Sequence, residues 1–96
     1  MADGTRFFVY VLVSESTGRR YTGHTDDLDR RIAEHNDATS NPKKHTSRNR
    51  GPWRLLYSEK HPTRPAAMRR EKWLKSGVGR EWLDREIGRA SPPEAD

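Results

Sequence analysis

Five residues of this chain have types and positions suited to proton transfer, anion binding or metal binding: Tyr10, Tyr21, Arg31, His35 and Glu71. The two tyrosines fall in apolar, strand-like segments. If the chain folds back so that Ser14 faces Arg19, then Leu12 faces Tyr21, and alternation puts Tyr10 and Tyr21 diagonally adjacent on one face. A slip of one residue would separate them. Arg31 and His35 are four apart, so on a helix they share one side, flanking Leu28 and Ile32 and pointing along the sheet edge. Glu71 interrupts an apolar helical line formed by Ala67, Leu74 and Val78, joined by Met68. A carboxylate there is costly unless it is paired or bound to a metal. Each feature has an ordinary explanation alone. Tyrosines pack in sheets, Arg31 and His35 suit a solvated helix edge, and Glu71 could pair with Arg69 or a loop arginine. Their joint spacing shifts the balance towards a site.

The elements that would carry these residues follow from pattern and punctuation. Phe7 to Val13 is β-branched and aromatic throughout and reads as a strand buried on both faces. Ser14 to Gly18 is a turn cluster, and Arg19 to Thr25 is the returning strand. Asp26 or Asp27 caps a helix running to about Ala38. Thr39 to Pro52 is a long polar loop, a length that points to function or disorder. Trp53 to Ser58 is a third strand. Thr63 and Pro65 open a helix through Ala66 to Lys75 that stops at Ser76-Gly77, and Glu81 to Ile87 forms a last short helix. The fold class expected is α/β (α+β): a small, three-stranded, mainly antiparallel sheet flanked by helices in the order β-β-α-β-α-α. One domain over 7–88 is expected, with a flexible N-terminus at 1–6 and a disordered tail at 89–96. Trp53 and Trp82 are expected in the core. If exposed, either would mark a protein contact.

Bulk composition narrows the partners. With 96 residues, one domain with a thin core is the natural reading. Charged residues make up 34% and apolar ones 30%, a balance that raises disorder, but the charges are of mixed sign and the aromatics sit inside patterned segments. The net charge of +5 favours a polyanionic partner. No apolar run spans a bilayer, nothing at the start resembles a signal peptide, and the absence of cysteine excludes disulfide frameworks and thiolate zinc sites. A cytoplasmic location is expected, without a membrane partner and with a monomer as the default. Lys43, Lys44, His45, Arg48, Arg50 and Arg54 form a basic run with no acid among them. A solvated loop is the common meaning of such runs. Its place between two elements of the site favours a phosphate-tracking surface, to which Arg30 is added.

The arrangement resembles the GIY-YIG nuclease family, and in particular its small single-domain bacterial members. Phe8-Val9-Tyr10 and Tyr21-Thr22-Gly23 stand where the two motif triplets would be, with Gly23 as the motif glycine. Asp27 to Asn36 resembles the family's helix with its arginine and histidine, and Pro65 to Lys72 resembles the helix that presents its glutamate. The likeness runs from Phe7 to Leu83. It implies a GIY-YIG fold and a metal-dependent endonuclease that hydrolyses phosphodiester bonds, on DNA in preference to RNA, with branched, damaged or single-stranded DNA as candidate substrates. Tyr21 would be the general base or its relay, Tyr10 would position the water, Arg31 would neutralise the phosphate, and His35 would relay a proton or touch phosphate. Glu71 would hold one divalent ion, Mg²⁺ or Mn²⁺. An ordinary tyrosine ionises near a pKa of about 10, so a tyrosine base needs positive charge beside it. The sequence departs from the family at Phe8, where glycine is typical, at Thr22, where isoleucine is usual, and in having no asparagine after Asn49. The alternative is a non-catalytic nucleic-acid-binding module, or an accessory DNA-repair or recombination factor, on the same fold.

Overall fold

The computed structural model describes residues 6–37 and 52–90, with side chains as far as residue 87. Lys43, Lys44, His45, Arg48 and Arg50, the expected terminal segment before Arg6 and the expected tail from Ser91 on therefore lie outside the described residues. Three strands, β1 (Phe7–Ser14), β2 (Arg20–Thr25) and β3 (Trp53–His61), and three helices, α1 (Leu28–Asn36), α2 (Arg64–Leu74) and α3 (Gly77–Ala90), follow one another in the order β-β-α-β-α-α.

β1 is central in the strand order β2-β1-β3, and both pairings are antiparallel. Leu12 pairs with Tyr21 and Tyr10 with Gly23, the register expected from the short turn. Ser14 N–H donates to the Arg19 carbonyl at 2.8 Å, and the buried Ser14 hydroxyl accepts from Thr17 N–H at 3.1 Å. Because β1 is covered on both sides, Val9, Tyr10, Val11 and Leu12 are all fully buried. Alternation divides them between two cores. Val9 and Val11 pack with Ala67, Leu74 and Leu83 under α2 and α3. Tyr10 and Leu12 pack with Trp53, Tyr21, Leu28 and Ile32 beneath α1. Trp53 is buried at 4% exposure, which removes it as an exposed contact, and Trp82 packs against the first core.

The helix starts follow their caps. Asp27, rather than Asp26, accepts from Arg30 N–H at 3.1 Å and opens α1. Thr63 accepts from Ala66 N–H at 3.2 Å and opens α2. α1 ends at Asn36, two residues short of the expected end, capped by Asp37. The Asn36 carboxamide then accepts from Trp53 N–H at 2.7 Å and donates to the Trp53 carbonyl at 3.1 Å, tying the end of α1 to the start of β3. β3 runs three residues past the expected Ser58 because it pairs with β1 as far as Phe7, accommodating Leu56 as an extra residue opposite Val11 and Leu12.

α3 begins at Gly77, not Glu81. Its two early glycines argue against a helix by propensity, but Ser76 caps it, accepting from Gly79 N–H at 3.2 Å. A Cβ on Gly79 would lie 2.0 Å from the Trp73 carbonyl oxygen, so only glycine allows α3 to turn this tightly against α2. The same break explains why Val78 leaves the apolar line. Ala67 and Leu74 are buried, whereas Val78 is 67% and Met68 51% exposed. No helix among the described residues is long and apolar enough to cross a membrane.

On the α2 side, Glu59 gathers Tyr57 Oη at 2.5 Å, His61 Nε2 at 2.6 Å and Arg70 Nε at 2.8 Å. Arg70 in turn lies over the rings of Trp73 and Trp82 at 4.6 and 4.7 Å. Burial works against ionisation of Glu59, but these hydrogen bonds outweigh it and hold its carboxyl below the ordinary 4.5. A carboxylate whose pKa falls on folding adds stability that is complete above its unfolded pKa and is lost as pH falls through the folded one. The urea midpoint of the wild-type chain should therefore fall more steeply below pH 4.5 than that of Glu59→Gln. Equal slopes would place the cluster outside the acid transition.

Candidate active site

On the α1 face, Tyr10 is the hub. Its ring lies across Gly23 on the neighbouring strand. A Cβ at Gly23 would sit 2.8 Å from Tyr10 Oη and 3.1 Å from Tyr21 Cε2, so the motif glycine is required by close approach rather than by its backbone angle. The Tyr10 hydroxyl accepts from Arg31 Nε at 3.3 Å and lies 3.2 Å from His35 Nε2. The Tyr21 ring is 6.2 Å from that of Tyr10 and 4.6 Å from His35, and Trp53 backs His35 at 6.2 Å. Arg31 and His35 are one helical turn apart, and the capped start of α1 aims both at the sheet. Arg31 also pairs with Glu34 at 2.9 Å.

These surroundings set the charge states. Burial pushes the Tyr10 hydroxyl up to about 12, and the hydrogen bond from Arg31 only partly offsets it. The Glu71 charge is the smallest of the causes and acts in the same raising direction. Tyr10 is therefore a protonated residue at neutral pH. The bond to Tyr10, the largest cause, and that to Glu34 hold the Arg31 guanidinium still further into its charged form.

Glu71 approaches from the other face. Its Oε1 is 2.6 Å from His24 Nδ1 and its Oε2 is 2.7 Å from Lys75 Nζ. These partners replace the expected Arg69 or loop arginine. Arg64 Nη1 lies 3.3 Å from His24 Nε2. Arginine can only donate, so Nε2 accepts and the proton sits on Nδ1, directed at Glu71. Burial raises the Glu71 pKa, but the bonds from Lys75 and His24 outweigh it and leave the carboxyl below the ordinary range, ionised at neutral pH. β2 is one of the two edge strands. Tyr21 faces one side of it and His24 the other, so the two halves of the site meet around that edge.

Among the described residues no group of three or more His, Asp or Glu side chains converges as a closed metal site. The fitting arrangement is an open one. The partly buried, ionised Glu71 offers a hard oxygen donor, and a lone protein carboxylate completed by water and substrate oxygens suits Mg²⁺ or Mn²⁺. Beside Tyr21 and Lys75, an open groove of about 600 Å³ is lined by Arg19, Arg20, Trp53 and Arg80. Arg30 lies on the exposed side of α1, paired with Asp26 at 3.2 Å, and Arg54 pairs with Glu15 at 3.0 Å. Neither joins the tyrosine cluster.

A family model of the GIY-YIG catalytic domain matches residues 6–82. The chain belongs to the GIY-YIG family. A UPF0213 protein of Halalkalibacterium halodurans is 43% identical over 68 residues, covering 71% of this chain and 68% of that one. One from Streptococcus agalactiae is 44% identical, covering 71% and 73%. The solution NMR structure of a UPF0213 protein from Bacillus halodurans aligns with a TM-score of 0.50 at 36% identity, covering 84% of each chain. The GIY-YIG domain is a nuclease domain, and its nucleases are generally dependent on divalent metal.

Of the residues this GIY-YIG domain was expected to use, Tyr10, Tyr21, Arg31, His35 and Gly23 come together on one face, with Glu71 across the edge. His24, Lys75 and Arg64 around the carboxylate, and Trp53 behind His35, were not singled out for the site. His24 had one signal: with Arg20, it is an ionisable residue that strand alternation puts on the face opposite Tyr21. Gly23→Ala should destabilise the fold by about 1–3 kcal/mol, because Tyr10 is buried and held at its hydroxyl and cannot swing away. Chemical denaturation checks this, and an unchanged midpoint would mean that the ring yields freely.

Proposed function

We propose that this chain is a metal-dependent endonuclease that hydrolyses phosphodiester bonds in DNA, with branched, damaged or single-stranded forms as its candidate substrates. The observation that carries the reading is the convergence of two tyrosines, a charged arginine and a histidine on one face, with an ionised carboxylate held by His24 on the other face of the adjoining strand β2. Family membership supports the reaction class.

In this reading Arg31 neutralises the phosphoryl oxygens, its orientation fixed by Tyr10 and Glu34. Tyr10 remains protonated and orients the attacking water by hydrogen bonding. Tyr21, partly exposed where Tyr10 is sealed, takes the water's proton or passes it on, and His35 between the two rings relays a proton or contacts the phosphate. Glu71, aimed by His24, would hold a single Mg²⁺ or Mn²⁺. When bound, such an ion would add positive charge at the phosphoryl oxygens. The basic run from Lys43 to Arg54, together with Arg30, would track neighbouring phosphates.

A non-catalytic binding module is the second reading, favoured by one observation: both Glu71 oxygens already have cationic or N–H partners. Incubating plasmid, branched and single-stranded DNA and structured RNA with and without Mg²⁺ or Mn²⁺ separates the two. The nuclease should cut only with metal. Glu71→Ala should abolish cutting, and Arg31→Ala should reduce it by about 10²–10³-fold, as for loss of one charge-stabilising donor. Retained binding with no cutting in the wild type would establish the binding module. Because Tyr10 is already protonated, Tyr10→Phe should lower the rate without moving the alkaline limb of the pH profile, whereas a shifted limb would make Tyr10 the base.

A further inference from the structure

Lys75 stands between two features of the site. On one side its ammonium lies 2.7 Å from Glu71 Oε2. On the other it lines the open groove with Arg19, Arg20, Tyr21 and Arg80. The two partners of the ion pair differ in freedom. The lysine side chain is 53% exposed and the glutamate 18%. The carboxylate is further anchored through Oε1 by His24, itself braced by Arg64. If the pair opens, the lysine is the partner that moves.

A divalent cation and an ammonium cannot share one carboxylate oxygen at contact distance without strong repulsion. With Oε1 held by His24, a metal that takes Oε2 therefore displaces Lys75. The expelled ammonium enters a groove already lined by three arginines, of which Arg20 is held by Asp84 at 2.7 Å. In that cationic setting a bound phosphate gives the displaced charge a new partner. We propose that Lys75 exchanges Glu71 for a backbone phosphate of a nucleic acid lying in this groove, so that the divalent ion and the nucleic acid bind cooperatively. This rests on Glu71 being the metal-binding carboxylate. It adds a phosphate-binding groove and a reason for the site to stay metal-poor until substrate arrives. By linkage, each ligand raises the affinity of the other by the same factor.

The test measures Mn²⁺ binding to the full chain by electron paramagnetic resonance of the free ion, with and without a phosphorothioate oligonucleotide that keeps its charge and resists hydrolysis. The reciprocal measurement is oligonucleotide affinity by anisotropy at fixed ionic strength. In the wild type the two ligands should strengthen each other by about tenfold, within the ordinary range of coupling between sites. Lys75→Met should bind Mn²⁺ about tenfold more tightly without nucleic acid, as expected when a coupling of that size is removed, and the coupling should fall to what substrate oxygens on the metal themselves supply. Lys75→Gln should behave alike. Lys72→Met removes the same charge one residue from Glu71 without touching the ion pair, and should do neither. If Lys75→Met and wild type bind Mn²⁺ alike and with equal coupling, while Glu71→Gln abolishes binding, the exchange is overturned and the metal assignment stands. If Lys72→Met matches Lys75→Met, general charge replaces the exchange as the cause. If no variant shows binding that depends on Glu71, the metal assignment itself falls and takes the exchange with it.

Discussion

The hydroxyl of Tyr10 is a polar group at the end of a fully buried side chain on the central strand, and such a group is costly unless it finds hydrogen-bond partners. The chain meets this constraint in one way. The ring passes over Gly23, where the missing Cβ leaves room, and reaches Arg31 and His35 on α1. α1 can present both residues only if its start is fixed by Asp27 and its end is held against β3 by Asn36. Trp53, held by the same carboxamide, then closes the space behind the imidazole. Removing the Tyr10 hydroxyl from this arrangement leaves Arg31 and His35 without the atom on which they converge.

The second organising feature is that the site belongs to two cores. The tyrosine half rests on the cluster of Tyr10, Leu12 and Trp53, and the carboxylate half rests on α2 over Val9 and Val11. The edge strand joins them because alternate residues on β2 face opposite sides. This separation suits the chemistry. Positive charge from Arg31 is concentrated on one side, whereas Glu71 is kept ionised on the other by the Lys75 ammonium and the His24 N–H. Neither half has to sustain the full desolvation of an arginine and a glutamate buried together.

Much of this was legible in the sequence where local rules decide. The short turn after β1 fixed a register that brings the tyrosines together, and i to i+4 spacing joined Arg31 to His35. The caps at Asp27 and Thr63 and the stop at Ser76-Gly77 followed from residue type. What was not legible depends on tertiary contact. His24 comes from 47 residues upstream of Glu71, and nothing in its spacing marks it as facing the carboxylate, whereas Lys75 lies one helical turn downstream, where i to i+4 spacing already puts it on the same side. The start of α3 was misplaced because Gly77 and Gly79 oppose a helix by propensity, while the serine cap and the tight approach to Trp73 override it. Continuing the apolar line to Val78 failed for the same reason, since the chain changes direction between Leu74 and Gly77.

The division into two cores also distributes the tryptophans. Trp53 lies in the tyrosine cluster beside His35, whereas Trp73 and Trp82 meet edge to face, with Arg70 over both rings, beneath the opposite face. Indole emission responds to the polarity and charge around the ring, so the molecule carries two sets of optical reporters with separate territories. A loosened α1 would alter the light from Trp53. Loss of the packing between α2 and α3 would alter that of the edge-to-face pair, and a single replacement of Trp53 by phenylalanine would be enough to tell the two signals apart.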